Sequence, residues 1–284
     1  MEIEGTFRYP ELRTAGMSRA AVRHRVARGD LRRVTRGIYV PNPSRLDLLR
    51  ATFRRLPAGA VLGYQSAAAL HGFGTSPPEM IHVIVPTGVA VTRIRGVVAH
   101  EAVLPVLGPV ELAGVPCVPA ARCAIDLARQ LRRMDALPLL DAVLRSGACR
   151  TDDLWAEVGR HAGLRGVCQV RNLVPIADPR AECRQESQLR LVLIDAGLPV
   201  PEPQIWACDR YGSRVYRLDL GYRERRIGLE YDGASHLDPE RLRYDRARMN
   251  WLATNGWKMR YFTARDLYSR PAHIAATVRA ILLP

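Results

Sequence analysis

The chain has 284 residues, 48% of them hydrophobic and 25% charged, with a formal net charge of +14 at pH 7. This composition is typical of a folded protein of about two domains and excludes a disordered tail. No apolar run approaches the roughly 20 residues of a membrane helix, so we expect no membrane-spanning segment. The acidic first five residues lack the apolar core of a signal peptide, which predicts a cytoplasmic protein.

The six cysteines are scattered along the chain and include no C-x-x-C pair. A structural zinc site normally needs paired cysteines at short spacing. We therefore expect reduced, mostly buried thiols in place of a zinc centre.

The positive charge is concentrated near the N-terminus. Residues 1–56 carry a net charge of +8, whereas residues 57–177 carry +2 and residues 178–284 carry +4. Basic segments attract polyanions, because their binding releases the counterions condensed on phosphates. A general bias towards arginine is the alternative explanation, but it does not explain why the excess lies at the N-terminus.

The N-terminal segment has the pattern of two short helices. Pro10–Ala15 predict the first, and Ser18 has the side chain of an N-cap for the second, Arg19–Arg28. Val22 and Val26 lie four residues apart, so they predict the buried face of this second helix.

A hairpin is predicted next, over Leu31–Val40, with its turn near Arg36-Gly37. A basic helix followed by a basic hairpin is typical of a winged helix-turn-helix, whose helix enters the major groove while the wing contacts phosphates. A small helical cap with a solvated basic face, or a protein-interaction module, is the alternative. The candidate DNA-binding residues are Arg19, Arg23, His24, Arg25, Arg28, Arg32, Arg33 and Arg36.

Residues 44–177 predict a mixed α/β connector without a catalytic set. The pattern predicts a strand over 81–85, with helices over about 46–56, 65–70, 120–132 and 134–144. Four histidines are widely spaced here, and we expect each to be packed or exposed without a catalytic role: His71, His82, His100 and His161.

A boundary near residues 177–180 precedes a compact α/β sandwich. Its predicted elements are a helix (182–196), three strands (204–209, 215–222, 226–231), a helix (239–255), a strand (257–262) and a final helix (272–282).

Three acidic residues interrupt the apolar pattern of these strands. Strand alternation places Asp219 opposite its leucine neighbours, and places Glu230 and Asp232 together on one face. Pairing of the two strands can bring all three carboxylates side by side. Such carboxylates repel each other, so a cation such as Mg²⁺ is their natural compensation, and it can activate water against a phosphodiester. A solvated acidic face paired with Arg217 and Arg225 is the alternative.

Two helices add inward-facing acids. Glu186 shares a helical stripe with Leu189 and Leu193. Asp245 shares a second stripe with Leu252. We expect Asp245 to pair with Arg248 or Arg241. A buried acid is costly unless it is paired or bound to a metal. His236, just after the acidic strand, is a candidate general base, phosphate contact or support for a metal ligand.

The C-terminal residues also carry a family resemblance. The runs 186–190 (ESQLR), 217–220 (RLDL) and 230–236 (EYDGASH) resemble the Vsr-like domain of unknown function in the PD-(D/E)XK nuclease superfamily, over about residues 180–284. The runs 36–39 (RGIY) and 68–72 (AALHG) are similar to AbiEi-type antitoxin and regulator proteins, over about residues 1–130.

The nuclease resemblance implies a restriction-endonuclease-like α/β/α core that binds Mg²⁺ or Mn²⁺. Asp219 and Glu230 would be metal ligands, and Glu186 would orient or complete the site. Asp232 stands where the superfamily usually has a lysine, which leaves no obvious ammonium to polarise the attacking water. Either Asp232 is a further ligand and His236 assists, or catalysis is weakened.

The leading prediction is an α/β DNA-binding protein in three parts. A winged helix-turn-helix covers residues 1–43, the connector 44–177, and a metal-dependent endonuclease domain 178–284. The alternative is a non-enzymatic transcription regulator or antitoxin of the AbiEi type, with an inactive nuclease-like domain. DNA is the expected partner, and the sequence leaves a homodimer or a toxin partner open.

Overall fold

The computed structural model describes residues 7–35, 37–40, 44–75, 77–90, 93–233 and 239–282. The predicted site residues Arg36 and His236 lie outside this described part. The chain divides into two compact units, Met1–Cys123 and Ala124–Pro284. Both units mix helices and strands, as the predicted α/β class requires. Among the described helices, none has the length and apolar character needed to span a bilayer.

The first unit begins with a small three-stranded sheet and two helices. In chain order these are β1 (Phe7–Arg8), α1 (Tyr9–Thr14), α2 (Arg19–Ala27), β2 (Arg32–Thr35) and β3 (Ile38–Val40). The sheet order is β1-β3-β2, with both pairs antiparallel. The Ser18 Oγ accepts a hydrogen bond from the Ala21 N–H at 3.1 Å, which confirms the predicted N-cap. Leu12, Val22 and Leu31 are buried beneath these elements.

Strand β1 was not predicted, because two residues are too few to show an alternating pattern. The predicted hairpin is confirmed as β2 and β3, whereas its turn at Arg36 lies outside the described residues.

The rest of the first unit is built on a five-stranded sheet of order β6-β5-β4-β8-β7. Its elements are α3 (Arg45–Phe53), β4 (Val61–Leu62), α4 (Tyr64–Leu70), β5 (Ile81–Val85), β6 (Val97–Glu101), β7 (Val110–Leu112) and β8 (Val115–Cys117). The sequence predicted β5 and both helices, but it missed the other four strands. Those strands have only two to five residues, so their order depends on tertiary pairing.

Helix α5 (Ala120–Ala128) contains the boundary between the units, and a helical segment follows it. The following helices are α6 (Arg133–Ser146), α7 (Thr151–Arg160), α8 (Val167–Leu173) and α9 (Arg184–Asp195). A buried ion pair joins α6 to α9, with 2.6 Å between Arg190 Nη2 and Asp141 Oδ2. The same carboxylate accepts from the Asp178 N–H. These contacts cross the boundary predicted at residue 177, and the predicted three-part division stays a prediction.

A four-stranded sheet completes the second unit, in the order β12-β11-β10-β9. Its elements are β9 (Glu202–Cys208), β10 (Arg214–Tyr222), β11 (Ile227–Asp232), α10 (Pro239–Thr254), β12 (Lys258–Thr263), α11 (Ala264–Ser269) and α12 (Pro271–Leu282). The pair β11–β12 is parallel and the other two pairs are antiparallel. One apolar core joins the sheet to α9, α11 and α12, and a second joins β9 and β10 to α10.

The face of α10 differs from the predicted one. Asp245 and Met249 are exposed, whereas Leu252 is buried and Arg248 and Trp251 are half-buried. The inward stripe therefore runs through 248, 251 and 252, and Asp245 does not face the core. The physical reason is that the long Arg248 side chain finds a buried carboxylate to pair with, which the apolar periodicity does not show.

The thiols also differ from the expectation. None of the six cysteines, all of which the structure describes, forms a disulfide bond, and only Cys117 and Cys123 are buried.

Candidate functional site

An acidic cluster lies where β10, β11 and α9 meet. Strands β10 and β11 pair with Leu220 opposite Leu229, and continuing this antiparallel register by one residue places Asp219 beside Glu230. The Asp219 carboxylate accepts from the Tyr231 N–H at 3.2 Å. Burial, together with the charges of Glu186 and Glu230, raises the pKa of Asp219 to about 7. The predicted proximity of Asp219 to Glu230 is therefore present, and Glu186, which the nuclease resemblance adds, lies near enough to raise the same pKa.

Glu186 faces inward from the first turn of α9, as its helical stripe predicted, and it is buried. Its Oε2 accepts from the Glu182 N–H at 2.9 Å and from the Gln204 side-chain amide at 2.9 Å. These two bonds orient the Glu186 carboxylate.

Arg248 supplies the positive charge of the cluster. Its Nη1 donates to Glu230 Oε2 at 2.9 Å, and its Nη2 contacts Glu230 Oε1, so the guanidinium engages both oxygens of one carboxylate. Its Nη2 also donates to the Arg217 carbonyl at 2.9 Å. A planar guanidinium matches a carboxylate in this bidentate geometry. Arg248 thus pairs with Glu230 and not with Asp245, whereas the side chain of Arg241, the alternative partner predicted for Asp245, lies outside the described part of the chain.

The predicted ligand set for Mg²⁺ or Mn²⁺ was Asp219, Glu230 and Asp232. Asp232 is exposed at the end of β11, and both Glu230 oxygens already contact Arg248. Within the described residues, no group of three or more His, Cys, Asp or Glu side chains could hold a metal ion. The residues in this arrangement do not fit a divalent cation, so we derive no catalytic step from one. Binding of Mg²⁺ or Mn²⁺ stays a prediction. The role of His236 as a general base, a phosphate contact or a support for a metal ligand also stays a prediction.

The second candidate site is the basic surface at the N-terminus. Six of its predicted residues are exposed: Arg19, Arg23, His24, Arg28, Arg32 and Arg33. Arg25 is half-buried, and Arg36 lies outside the described residues. Among the described carboxylates only Asp30 pairs with this set, with its Oδ2 3.6 Å from Arg28 Nε. The surface therefore keeps a strong local positive charge that can meet an anionic partner.

A pair of histidines in the first unit forms a cluster that their spacing along the sequence did not predict. His82 Nδ1 lies 2.9 Å from His100 Nε2, and the two rings stack 5.2 Å apart. The Tyr64 ring packs 4.2 Å from the His100 ring. The parallel pairing of β5 with β6 brings the two histidines together although 18 residues separate them. Burial lowers the pKa of His82.

His161, by contrast, is a packed histidine, as expected. It is buried, with its Nε2 3.1 Å from Asp126 Oδ1 and its Nδ1 2.8 Å from the Glu157 carbonyl oxygen.

Two relatives from Mycobacterium tuberculosis match nearly the whole chain. They are uncharacterized protein MT2308 of strain CDC 1551 / Oshkosh and uncharacterized protein Rv2248 of strain ATCC 25618 / H37Rv. Each is 35% identical over 266 residues, which cover 92% of this chain and 96% of the relative. Residues 2–42 match the family described as transcriptional regulator, AbiEi antitoxin, and residues 58–176 match the AbiEi antitoxin C-terminal domain. The chain belongs to the family of these relatives and carries AbiEi antitoxin domains.

The AbiEi part of the sequence resemblance is confirmed by these matches, and the Vsr-like part stays a prediction. A solved structure, the RV2827C protein from Mycobacterium tuberculosis, aligns with a TM-score of 0.46 and 18% identity. The alignment covers 64% of this chain and 75% of that chain.

Proposed function

We propose that this family member is a DNA-binding transcription regulator of the AbiEi antitoxin type and that it acts without catalysing a reaction. The observation that carries the proposal is the exposed basic surface of α2 and β2, within a segment that matches a transcriptional regulator family. The alternative function that the sequence left open is therefore preferred to the leading nuclease prediction.

The order of elements supports a winged helix-turn-helix. Helix α2 would enter the major groove and present Arg19, Arg23 and His24 to bases and phosphates, while Arg32 and Arg33 on the hairpin would contact the backbone. Leu12, Val22 and the other buried residues of this segment keep the basic side chains on its outer surface.

A toxin protein is the second partner that we propose, because both family matches describe antitoxins. The acidic cluster fits a non-enzymatic role, since Arg248 neutralises Glu230 from within the chain. A guanidinium at this position supplies charge balance, but it cannot generate the metal-bound hydroxide that phosphodiester hydrolysis would use.

DNA binding is tested by selecting duplexes from a randomised pool with the full chain and then measuring affinity against salt by fluorescence anisotropy. The test variant replaces Arg19, Arg23 and Arg32 with Gln. We expect weaker binding and a shallower salt dependence, with about 0.9 lost from the slope for each phosphate contact removed.

The matched control replaces three exposed arginines elsewhere, Arg171, Arg225 and Arg265, with Gln, so both variants lose the same charge. The control should keep the wild-type affinity within about twofold, because it changes net charge without touching the predicted surface. Equal losses in the two variants would show that binding follows net charge alone. Wild-type affinity in the test variant would contradict the proposed DNA surface.

A further inference from the structure

The first unit contains a partly open cavity of about 670 Å³, and Arg32 and Arg33 are the residues that its lining shares with the candidate DNA surface. Strand β2, helices α3 and α4, and the segments that precede β5 and β6 supply its walls. Its volume lies in the range of roughly 300–1,000 Å³ that is usual for small-molecule sites.

The cavity has an apolar wall and a cationic rim. Leu49, Leu70, Ile81 and Ile94 line it, and Leu49 and Ile94 are buried. The rim carries four arginines, and one acidic residue lies among them: Arg32, Arg33, Arg45, Arg95 and Glu79. One carboxylate against four guanidinium groups leaves an excess of positive charge around an apolar interior.

This charge is not consumed by ion pairs in the part of the chain that the structure describes. Arg45 donates to the Pro78 carbonyl, and none of the described carboxylates forms an ion pair with Arg32, Arg33 or Arg95. Arg32, Arg33 and Arg95 are exposed beside an apolar wall. Their charges attract an anion, and the wall can pack against an apolar body attached to it.

We propose that this cavity binds a small organic anion that joins an apolar body to a carboxylate, phosphate or sulfonate head. The apolar body would lie against Leu70 and Ile81, and the head would accept hydrogen bonds from Arg33 and Arg95. A duplex or a folded protein domain is far larger than this partly open cavity, which favours a small molecule. The proposal concerns a ligand site and goes beyond the proposed DNA-binding function.

The test uses 1-anilinonaphthalene-8-sulfonate as the anionic probe and N-phenyl-1-naphthylamine as its uncharged analogue, with the full chain and no DNA. Arg95→Gln removes an exposed rim charge, and Ala69→Leu adds volume at a half-buried position of the cavity. Arg171→Gln, in the second unit, is the matched control for loss of one charge. Thermal unfolding checks that each variant stays folded.

We expect Arg95→Gln to weaken the anionic probe about tenfold and the neutral analogue by less than about twofold, since only the charged head loses a partner. Ala69→Leu should weaken both probes, and Arg171→Gln neither. Equal affinity of the anionic probe for wild type, Arg95→Gln and Ala69→Leu would overturn the proposal. The proposal would also be overturned if the anionic probe shows no saturable binding to the wild type. This outcome is independent of whether the protein binds DNA.

Discussion

The fold disturbs the ionisation of Asp219. Burial and two neighbouring carboxylates raise its pKa from 3.8 to about 7, although the Tyr231 N–H and the Arg248 charge act in the opposite direction. Because the native state binds this proton more tightly than the unfolded chain does, the contribution of Asp219 to stability is present at low pH. It is lost as pH rises from about 4 to about 7.

We therefore expect Asp219→Asn to stabilise the protein at pH 8 by roughly 1–3 kcal/mol, discounted for partial exposure, and to change little near pH 4. Asn keeps the acceptor for Tyr231 and removes the charge. Urea unfolding at several pH values, with a chelator present, measures the difference. Asp232→Asn, at an exposed position, is the control and should show no such trend. A D219N variant less stable than wild type at pH 8 would contradict the assigned repulsion.

Arg248 provides a second prediction, which separates an internal cation from a metal. The wild type should gain less than about 1 °C in melting temperature from millimolar Mn²⁺ or Mg²⁺, because the guanidinium already engages Glu230. Arg248→Ala should lose roughly 2–4 kcal/mol, since the partly buried carboxylate loses its partner. It should then recover part of this loss with Mn²⁺, because a ligand of the native state stabilises by mass action.

Arg246→Ala is the matched control, since Arg246 lies exposed on the same helix. It should change neither stability nor metal response. A clear Mn²⁺ stabilisation of the wild type would restore the metal site, and Mn²⁺-dependent cleavage of duplex DNA would restore the nuclease prediction.

At the scale of elements, the helices with strong apolar periodicity were predicted to within a few residues, including α6, α9 and α12. Short strands such as β1 and β4 were not, because two residues carry no periodic signal. Helix α11 was also missed, since its six residues follow β12 without a break. Its N-cap, Thr263, accepts from the Asp266 N–H and is the local signal that marks its start.

The link between α6 and α9 gives the third prediction. Arg190 and Asp141 are both buried, so Arg190→Met would leave an unpaired carboxylate in the core. We expect a loss of about 3–5 kcal/mol in the free energy of unfolding. The double variant that also carries Asp141→Leu should be more stable than Arg190→Met alone. Chemical denaturation of all four members of this cycle measures the coupling, and additive losses would show that the pair contributes no specific interaction.

At the scale of the whole molecule, the proposed DNA surface and the proposed cavity share Arg32 and Arg33. The proposed anion head is held by Arg33 and Arg95, so its binding removes the Arg33 phosphate contact from the DNA surface. We therefore expect the anionic probe to weaken DNA binding, whereas its neutral analogue should have little effect. Fluorescence anisotropy of a labelled duplex, titrated with each probe, measures the competition.

Arg95→Gln separates the two sites, since Arg95 lines the cavity but does not belong to the candidate DNA-binding residues. This variant should bind DNA with the wild-type affinity. About ten times more anionic probe should be needed to displace DNA from it. If the anionic probe displaces DNA from Arg95→Gln as easily as from the wild type, the probe binds to the DNA surface and not in the cavity.

Local patterns along the sequence determined much of this protein. The Ser18 N-cap, the buried Val22, the strand β5 and the inward Glu186 all follow from spacing that neighbouring residues set by themselves, because helix and strand periods of 3.6 and 2 are local properties. The N-terminal charge excess and the acids of β10 and β11 were visible for the same reason.

Only the tertiary structure decided which distant groups meet. It paired Arg248 with Glu230 and not with Asp245, brought His82 onto His100, and formed a cavity from β2, α3 and α4. These outcomes depend on strand register, helix rotation and competition among many arginines for few carboxylates. Burial and geometry in the folded chain decide which arginine pairs with which carboxylate. A buried charge loses its hydration, so the stable pair is the one whose attraction and hydrogen bonds best offset that desolvation cost.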